Sequence, residues 1–140
     1  MKIKAAAQDL ELNDLVELKQ NVPFNQMAGL YASHNIFVLP AVNEPYSISV
    51  SEAMGYGLPV ICTDTCGTKF NIDNGYNGFV VKSNSLESLT TSLEALLSSY
   101  QKLDQMRLQT LQYARENLSG DAFFIKFAQV TRERFSIIIN

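Results

Sequence analysis

Two carboxylates eight positions apart, Glu44 and Glu52, bracket the segment Glu44-Pro45-Tyr46-Ser47-Ile48-Ser49-Val50-Ser51-Glu52. Glu44 precedes a predicted short helix, in a loop that Pro45 stiffens. Glu52 falls inside that helix, in its first or second turn. Between them lies the helix N-terminus, whose unpaired N–H groups and partial positive charge suit a diphosphate. The backbone amides of Tyr46, Ser47 and Ile48 flank that position. Repulsion keeps carboxylates away from phosphates but not from sugar hydroxyls. A ligand with hydroxyls at both ends and a diphosphate between them, a sugar nucleotide, fits this layout better than a free phosphate. Two plainer readings stand beside it. Ser49-Val50-Ser51-Glu52 has the spacing of a capping box, which alone would account for Glu52. Glu44 also reads as a solvated loop residue.

The elements around this segment predict how it is held. Residues 2–10 read as a short or frayed helix, and Leu15-Val16-Glu17-Leu18 alternates like a strand. Pro23 to Ser33 carries Phe24, Met27, Leu30 and Tyr31 at helical spacing. Ile36-Phe37-Val38-Leu39 is a continuous apolar run closed by Pro40, the signature of a strand covered on both faces. A helix over Ser49–Tyr56, ended by Gly55 and Gly57, leads to a second run, Val60-Ile61-Cys62, and so completes a βαβ unit. Asn74-Gly75 and Asn77-Gly78 mark turns before a third, Phe79-Val80-Val81. Leu86, Leu89, Leu93, Leu96 and Leu97 follow the helical period. A further helix is expected over Lys102–Asn117. Another begins near Gly120-Asp121, with Phe123, Phe124, Phe127, Val130 and Phe135 as apolar positions. The fold class is α/β: a Rossmann-like parallel sheet with flanking helices and a helical C-terminal tail. The segment from Glu44 to Glu52 then lies beyond the carboxyl end of a parallel strand, where open α/β sheets bind ligands.

Length and charge narrow the function further. A chain of 140 residues, 46% apolar, supports one domain. A net charge of −3 offers no general attraction to nucleic acid or anionic lipid. Cys62 and Cys66 are too few for a disulfide framework, and Cys62 reads as a buried thiol. Zinc would need further soft ligands, while the single histidine, His34, is distant in sequence and suits a surface turn. The start of the chain lacks the pattern of a secretory signal, and no apolar run nears the ~20 residues of a membrane span. A soluble, cytoplasmic chain is the expectation, with peripheral membrane contact left open. Gly55-Tyr56-Gly57 follows a helix and precedes a strand, the reverse of a dinucleotide fingerprint, so it reads as a helix C-terminus.

The ordered series Glu-Pro-Tyr-Ser-Ile-Ser-Val-Ser-Glu-Ala-Met-Gly-Tyr-Gly-Leu-Pro-Val-Ile strongly resembles the E-x7-E segment of group 1 (family 4) glycosyltransferases, which have the GT-B fold. Leu30–Pro40, Thr63-Asp64-Thr65-Cys66-Gly67 and Asn74–Val81 are similar to the strand before that segment and the loops after it, and the likeness runs from about residue 15 to 137. The resemblance implies retaining transfer of a sugar from a nucleotide-activated donor. Glu44 matches the glutamate at the reacting end of the donor sugar and is the candidate catalytic residue. Glu52 matches the one that holds the ribose. The amides of Tyr46, Ser47 and Ile48 match the turn at the donor phosphates, and Gly67 belongs with these donor-binding residues. No Asp-x-Asp motif occurs, so neither a metal nor another cofactor is expected. The helix dipole and basic residues then stabilise the departing nucleoside diphosphate.

Departures from the family pattern accompany the match. Cys66 stands where a Gly-Gly pair usually begins, so the backbone's approach there is expected to be hindered. Ser47 replaces a common glycine, and Phe70-Asn71 replaces an acidic residue followed by a β-branched one. No counterpart of the family's phosphate-clamping Arg and Lys precedes residue 15. Residues 1–140 therefore correspond to one partial domain, the second half of a donor domain. An N-terminal acceptor domain, expected to lie outside these residues, is an expected partner, as is a nucleotide-diphosphate sugar. The full-length protein is expected to be a hexosyltransferase-like enzyme acting on an unknown glycan, lipid or protein, and the isolated chain inactive. The alternative is a non-catalytic remnant or split half that binds a partner or a nucleotide. Phe123, Phe124 and Phe127 are expected to serve packing rather than the site, with part of the last helix exposed for self-association.

Overall fold

Three short parallel strands, β1 (Phe37–Leu39), β2 (Val60–Thr63) and β3 (Gly78–Val81), pair in the order β1-β2-β3. Their register sets Phe37 beside Val60 and Val60 beside Gly78. The computed structural model describes residues 2–135; the side chain of Phe135, for which an apolar role is expected, and the end of the family likeness at residue 137 lie outside the described residues. Within them the chain divides into two compact units, one ending at Leu30 and the other beginning at Tyr31.

The first unit holds helix α1 (Lys2–Asp9), on which Ala7 is buried, and the opening of helix α2 (Phe24–Ser33). α2 starts right after Pro23, whose carbonyl accepts the Gln26 N–H. The strand expected at Leu15–Leu18 does not form. The N–H groups of Leu15 and Val16 both turn back to the Leu12 carbonyl, so neither is offered to a ladder, and Leu15 is left 81% exposed. Alternation in sequence suits a strand only where an edge exists to pair with.

The second unit is organised by β2. All four of its residues are buried, and successive side chains point to opposite faces of the sheet. Val60 and Cys62 pack on one face with Val50, Met54, Cys66 and Ala114, joined by Phe37, Leu39 and Val80. Ile61 packs on the other with Val81, Leu96, Leu103 and Met106, joined by Val38 and Phe79. The apolar runs of the sequence are thus covered on both sides, most fully at the centre, whereas β1 is half-buried. Burying one residue such as Ile61 contributes on the order of 2 kcal/mol. Helix α3 (Ile48–Gly55) covers the first face. Helix α4 (Leu86–Leu97), capped by the Ser85 hydroxyl on the Ser88 N–H, covers the second. Helix α5 (Tyr100–Asn117) packs against both and starts two residues before the expected Lys102, since Ser99 caps it. Helix α6 (Gly120–Phe135) follows.

Two features of α3 matter for what lies at its tip. It begins at Ile48, one residue ahead of the sequence expectation, with Ser47 at the cap position. It ends in a paired closure: Leu58 N–H bonds the Ala53 carbonyl and Gly57 N–H bonds that of Met54, with Gly57 at φ +73°. Gly55-Tyr56-Gly57 is a helix terminus, as expected. On α6, Phe123, Phe124, Ile125, Phe127 and Val130 are 48–70% exposed, so the exposed apolar face expected on the last helix is present, with Phe123 and Phe127 stacked on one another. No helix among the described residues is long and apolar enough to cross a membrane.

Candidate functional site

The chain leaves β1 at Leu39 and reaches α3 through residues 40–47, and this loop is fastened to the one that leaves β2. The buried Thr63 hydroxyl donates to the Ala41 carbonyl at 2.5 Å, and Asn43 N–H reaches the Thr65 hydroxyl at 3.4 Å. Asn43 adopts φ +60°, a left-handed conformation that asparagine tolerates well. Gly67 then donates its N–H to the Glu44 carbonyl at 2.8 Å. A side chain at Gly67 could not be accommodated, because its Cβ would stand 1.7 Å from the Pro45 oxygen. The backbone of Glu44 is therefore held from two sides, and its half-buried side chain is carried at the carboxyl end of the sheet.

Glu52 is positioned from another direction. It sits in the second turn of α3, half-buried, and its Oε2 accepts the Tyr31 hydroxyl at 2.9 Å. Tyr31 is 6% exposed, lies in the last turn of α2, and stacks on Tyr56 with ring centroids 5.5 Å apart. Burial, reinforced by its hydrogen bond to Glu52, pushes the Tyr31 phenol up to about 12, so it remains a donor at any physiological pH. This leaves the other carboxylate oxygen of Glu52 to accept from elsewhere. The sequence places Tyr31 on an apolar stripe and in the family-like stretch Leu30–Pro40, without marking it as a partner of Glu52. The available signal was that a buried tyrosine hydroxyl needs a partner, but the partner is 21 residues away.

The tip of α3 lies in the chain between Glu44, fastened through its backbone, and Glu52, fastened through its carboxylate. The Ser47 side chain caps no helix N–H and instead pairs with the Ser49 hydroxyl at 2.7 Å. The capping box that Ser49 and Glu52 would form is not made: helix entry is at Ser47, and Glu52 is bound to Tyr31. The first N–H groups of a helix have no partner inside it. Among the described residues, those of Ile48 and Ser49 take no acceptor, while Val50 N–H bonds the Ser47 carbonyl. Tyr46 and Ile48 are exposed beside the tip, at 55% and 69%.

Gly67, expected among the donor-binding residues, has its N–H committed to the Glu44 carbonyl and so fastens that loop. Cys66 does not obstruct the approach. It is fully buried, packs into the core beside α3 and lies 2.8 Å from the Thr68 hydroxyl. Both cysteines are free, and burial with Cys66 alongside pushes the Cys62 thiol up to about 12, as befits a structural thiol. His34 is exposed, with its Nδ1 3.1 Å from the Ser33 hydroxyl. No group of three or more His, Cys, Asp or Glu side chains among the described residues is arranged to hold a metal ion.

Comparison with known proteins agrees with this architecture. An uncharacterized glycosyltransferase of Haemophilus influenzae is 28% identical over 121 residues, covering 83% of this chain and 34% of that protein. Among solved structures, sucrose-phosphate synthase of Thermosynechococcus elongatus superimposes with a TM-score of 0.80 at 21% identity, over 96% of this chain and 34% of that one. HepE of Anabaena in complex with UDP-glucose does so with a TM-score of 0.76 at 18% identity, over 94% of this chain and 36% of that one. The chain therefore spans about a third of the length of these relatives. The likeness establishes the fold as that of part of a GT-B glycosyltransferase. The model of the family described as glycosyl transferases group 1 matches residues 1–116, and the chain belongs to that family.

Proposed function

We propose that this chain supplies the donor-binding half of a retaining glycosyltransferase, with Glu44 at the sugar being transferred, Glu52 at the ribose, and the amides of Tyr46, Ser47 and Ile48 at the diphosphate. One observation carries the reading. An α-helix tip without a side-chain cap is preceded by Glu44, whose backbone carbonyl accepts the Gly67 N–H, and followed by Glu52, whose carboxylate accepts the Tyr31 hydroxyl. That Anabaena HepE has been solved with UDP and with UDP-glucose supports a nucleotide-sugar ligand for this fold.

In this reading the helix tip stabilises the negative charge that grows on the departing nucleoside diphosphate, and no metal is used. Glu44 faces the anomeric centre as it gains oxocarbenium character, where a carboxylate is worth most. Its backbone anchoring costs no reorganisation at that moment. Glu52 contributes equally to ground and transition states, since the ribose does not react.

The two roles separate experimentally. In the transferase that carries this chain, Glu44→Gln is expected to lower turnover far more than it weakens donor binding, and Glu52→Gln to weaken donor binding with a smaller effect on turnover. A Glu44→Gln enzyme with parental turnover would remove Glu44 from the mechanism. For the 140-residue chain, titration with UDP and other nucleoside diphosphates is expected to shift the amide resonances of Tyr46, Ser47, Ile48 and Glu52. No shift at millimolar ligand would end the donor-site reading.

A further inference from the structure

Phe70 stands where the resembled pattern has an acidic residue, and it is 83% exposed beside the candidate site. It belongs to a short 3-10 helix, Gly67–Asn71, in which residues three apart lie on the same face. Gly67 and Phe70 are three apart. The Cβ direction of Gly67 runs straight into the Pro45 carbonyl, so the face they share is turned toward the loop that carries Glu44. The Cα–Cβ bond of Phe70 is therefore directed to the side of that loop, and its ring stays exposed. It is also steadied: Lys69 Nζ bonds the Asp64 carbonyl at 2.6 Å and stands 5.3 Å from the ring centroid. A cation thus sits over the phenyl, while most of the ring surface stays open to solvent.

An open aromatic face at this place suits a particular ligand. The negative face of a π-system attracts partial positive charge, and a pyranose ring presents C–H groups on its face and hydroxyls at its rim. Seated on Phe70, such a ring would direct rim hydroxyls toward Glu44. A nucleobase also stacks on aromatic rings, but in the donor-site reading Glu52 and Tyr31 mark the nucleoside end, whereas Phe70 shares its 3-10 helix with Gly67, whose N–H holds the Glu44 carbonyl. We infer that Phe70, backed by Lys69, is the platform on which the hexose of the donor rests, and so a specificity-determining residue. This rests on the donor-site reading above.

The test compares two ligands on the 140-residue chain. Affinities for UDP and UDP-glucose, with GDP and GDP-mannose as a second pair, are measured by amide chemical-shift titration for the parent, Phe70→Ala, Phe70→Leu and Phe70→Trp. The exposure of Phe70 lets all three variants fold, which their spectra check directly. The parent is expected to prefer one sugar nucleotide over its nucleoside diphosphate. Phe70→Ala and Phe70→Leu should weaken that sugar nucleotide about fivefold, the size of one aromatic contact, and leave the nucleoside diphosphate unchanged. Phe70→Trp should retain the preference. An unchanged ratio in Phe70→Ala and Phe70→Leu overturns the platform while leaving the donor site standing. A parent that binds no nucleoside diphosphate overturns both.

Discussion

Replacing Gly67 by alanine tests the fastening of Glu44 at a single atom. The added Cβ would stand 1.7 Å from the Pro45 oxygen, whereas real Cβ atoms essentially never come within 3.0 Å of a neighbour. The Pro45 carbonyl must retreat by at least about 1.3 Å, and Glu44, one bond along, goes with it. This obstacle is backbone rather than the flexible end of a side chain, so no rotamer change relieves it. Overpacking of this kind costs about 1–3 kcal/mol of stability, read as a lowered melting temperature. A displacement near 1 Å at a reacting group costs roughly 100-fold in turnover. In the isolated chain, the amide resonances from Glu44 to Ile48 should move while those of β3 and α4 stay. Gly55→Ala is the control, because nothing lies within 4 Å of the added atom and alanine is the better helix former by up to about 1 kcal/mol. If Gly67→Ala kept the parental melting temperature, the parental shifts at Glu44 to Ile48 and the parental turnover of the transferase, the claim that Gly67 sets the position of Glu44 would be wrong.

Tyr31→Phe keeps the ring against Tyr56 and deletes the donor to Glu52 Oε2. A bond to a charged group is worth about 1.5–3 kcal/mol, and Glu52, half-buried, recovers part of that from water. A stability loss of about 1 kcal/mol is expected in a denaturant titration, together with weaker UDP binding; unchanged UDP affinity would take Tyr31 out of any positioning role. Alkaline pH should destabilise the chain. Tyr31 and Cys62 both titrate near 12 in the folded state, above their ordinary values of 10.0 and 9.0. Between about pH 9 and 12 the unfolded chain therefore releases protons that the folded one keeps, and stability falls as pH rises. A flat denaturation midpoint over that window would contradict their burial, and Cys62→Ala should remove the lower part of the fall. The exposed face of α6, where Phe123 and Phe127 stack at 6.1 Å, is expected to drive concentration-dependent self-association in sedimentation experiments. Phe123→Glu with Phe127→Glu should abolish it, and a parent that stays monomeric at high concentration would refute the assignment.

What the sequence disclosed about the fold and the site follows the reach of the interactions involved. Val60-Ile61-Cys62 was legible as a buried strand because its burial on both faces leaves no polar position, and that signal is carried by the residues themselves. Leu15–Leu18 misled because alternation says only which faces a strand would have, and the Leu12 carbonyl claims the N–H groups first. The same limit separates the two readings of Glu52. The Ser-x-x-Glu spacing of a capping box depends on residues three apart and is visible in any sequence. The partner actually chosen, Tyr31, is 21 positions away and is brought near only by the packing of the end of α2. Gly67 could be recognised as a glycine with a duty, but whether it makes room for a ligand or for Pro45 is decided by a contact with a loop 22 residues earlier. Phe70 is the extreme case. Its departure from the family pattern is plain in the sequence, yet its meaning depends on the 3-10 turn that aligns it with Gly67, and so on the contact that positions Glu44. The local half of this site is thus written in residue types, while the half that orients its carboxylates exists only once the chain has folded.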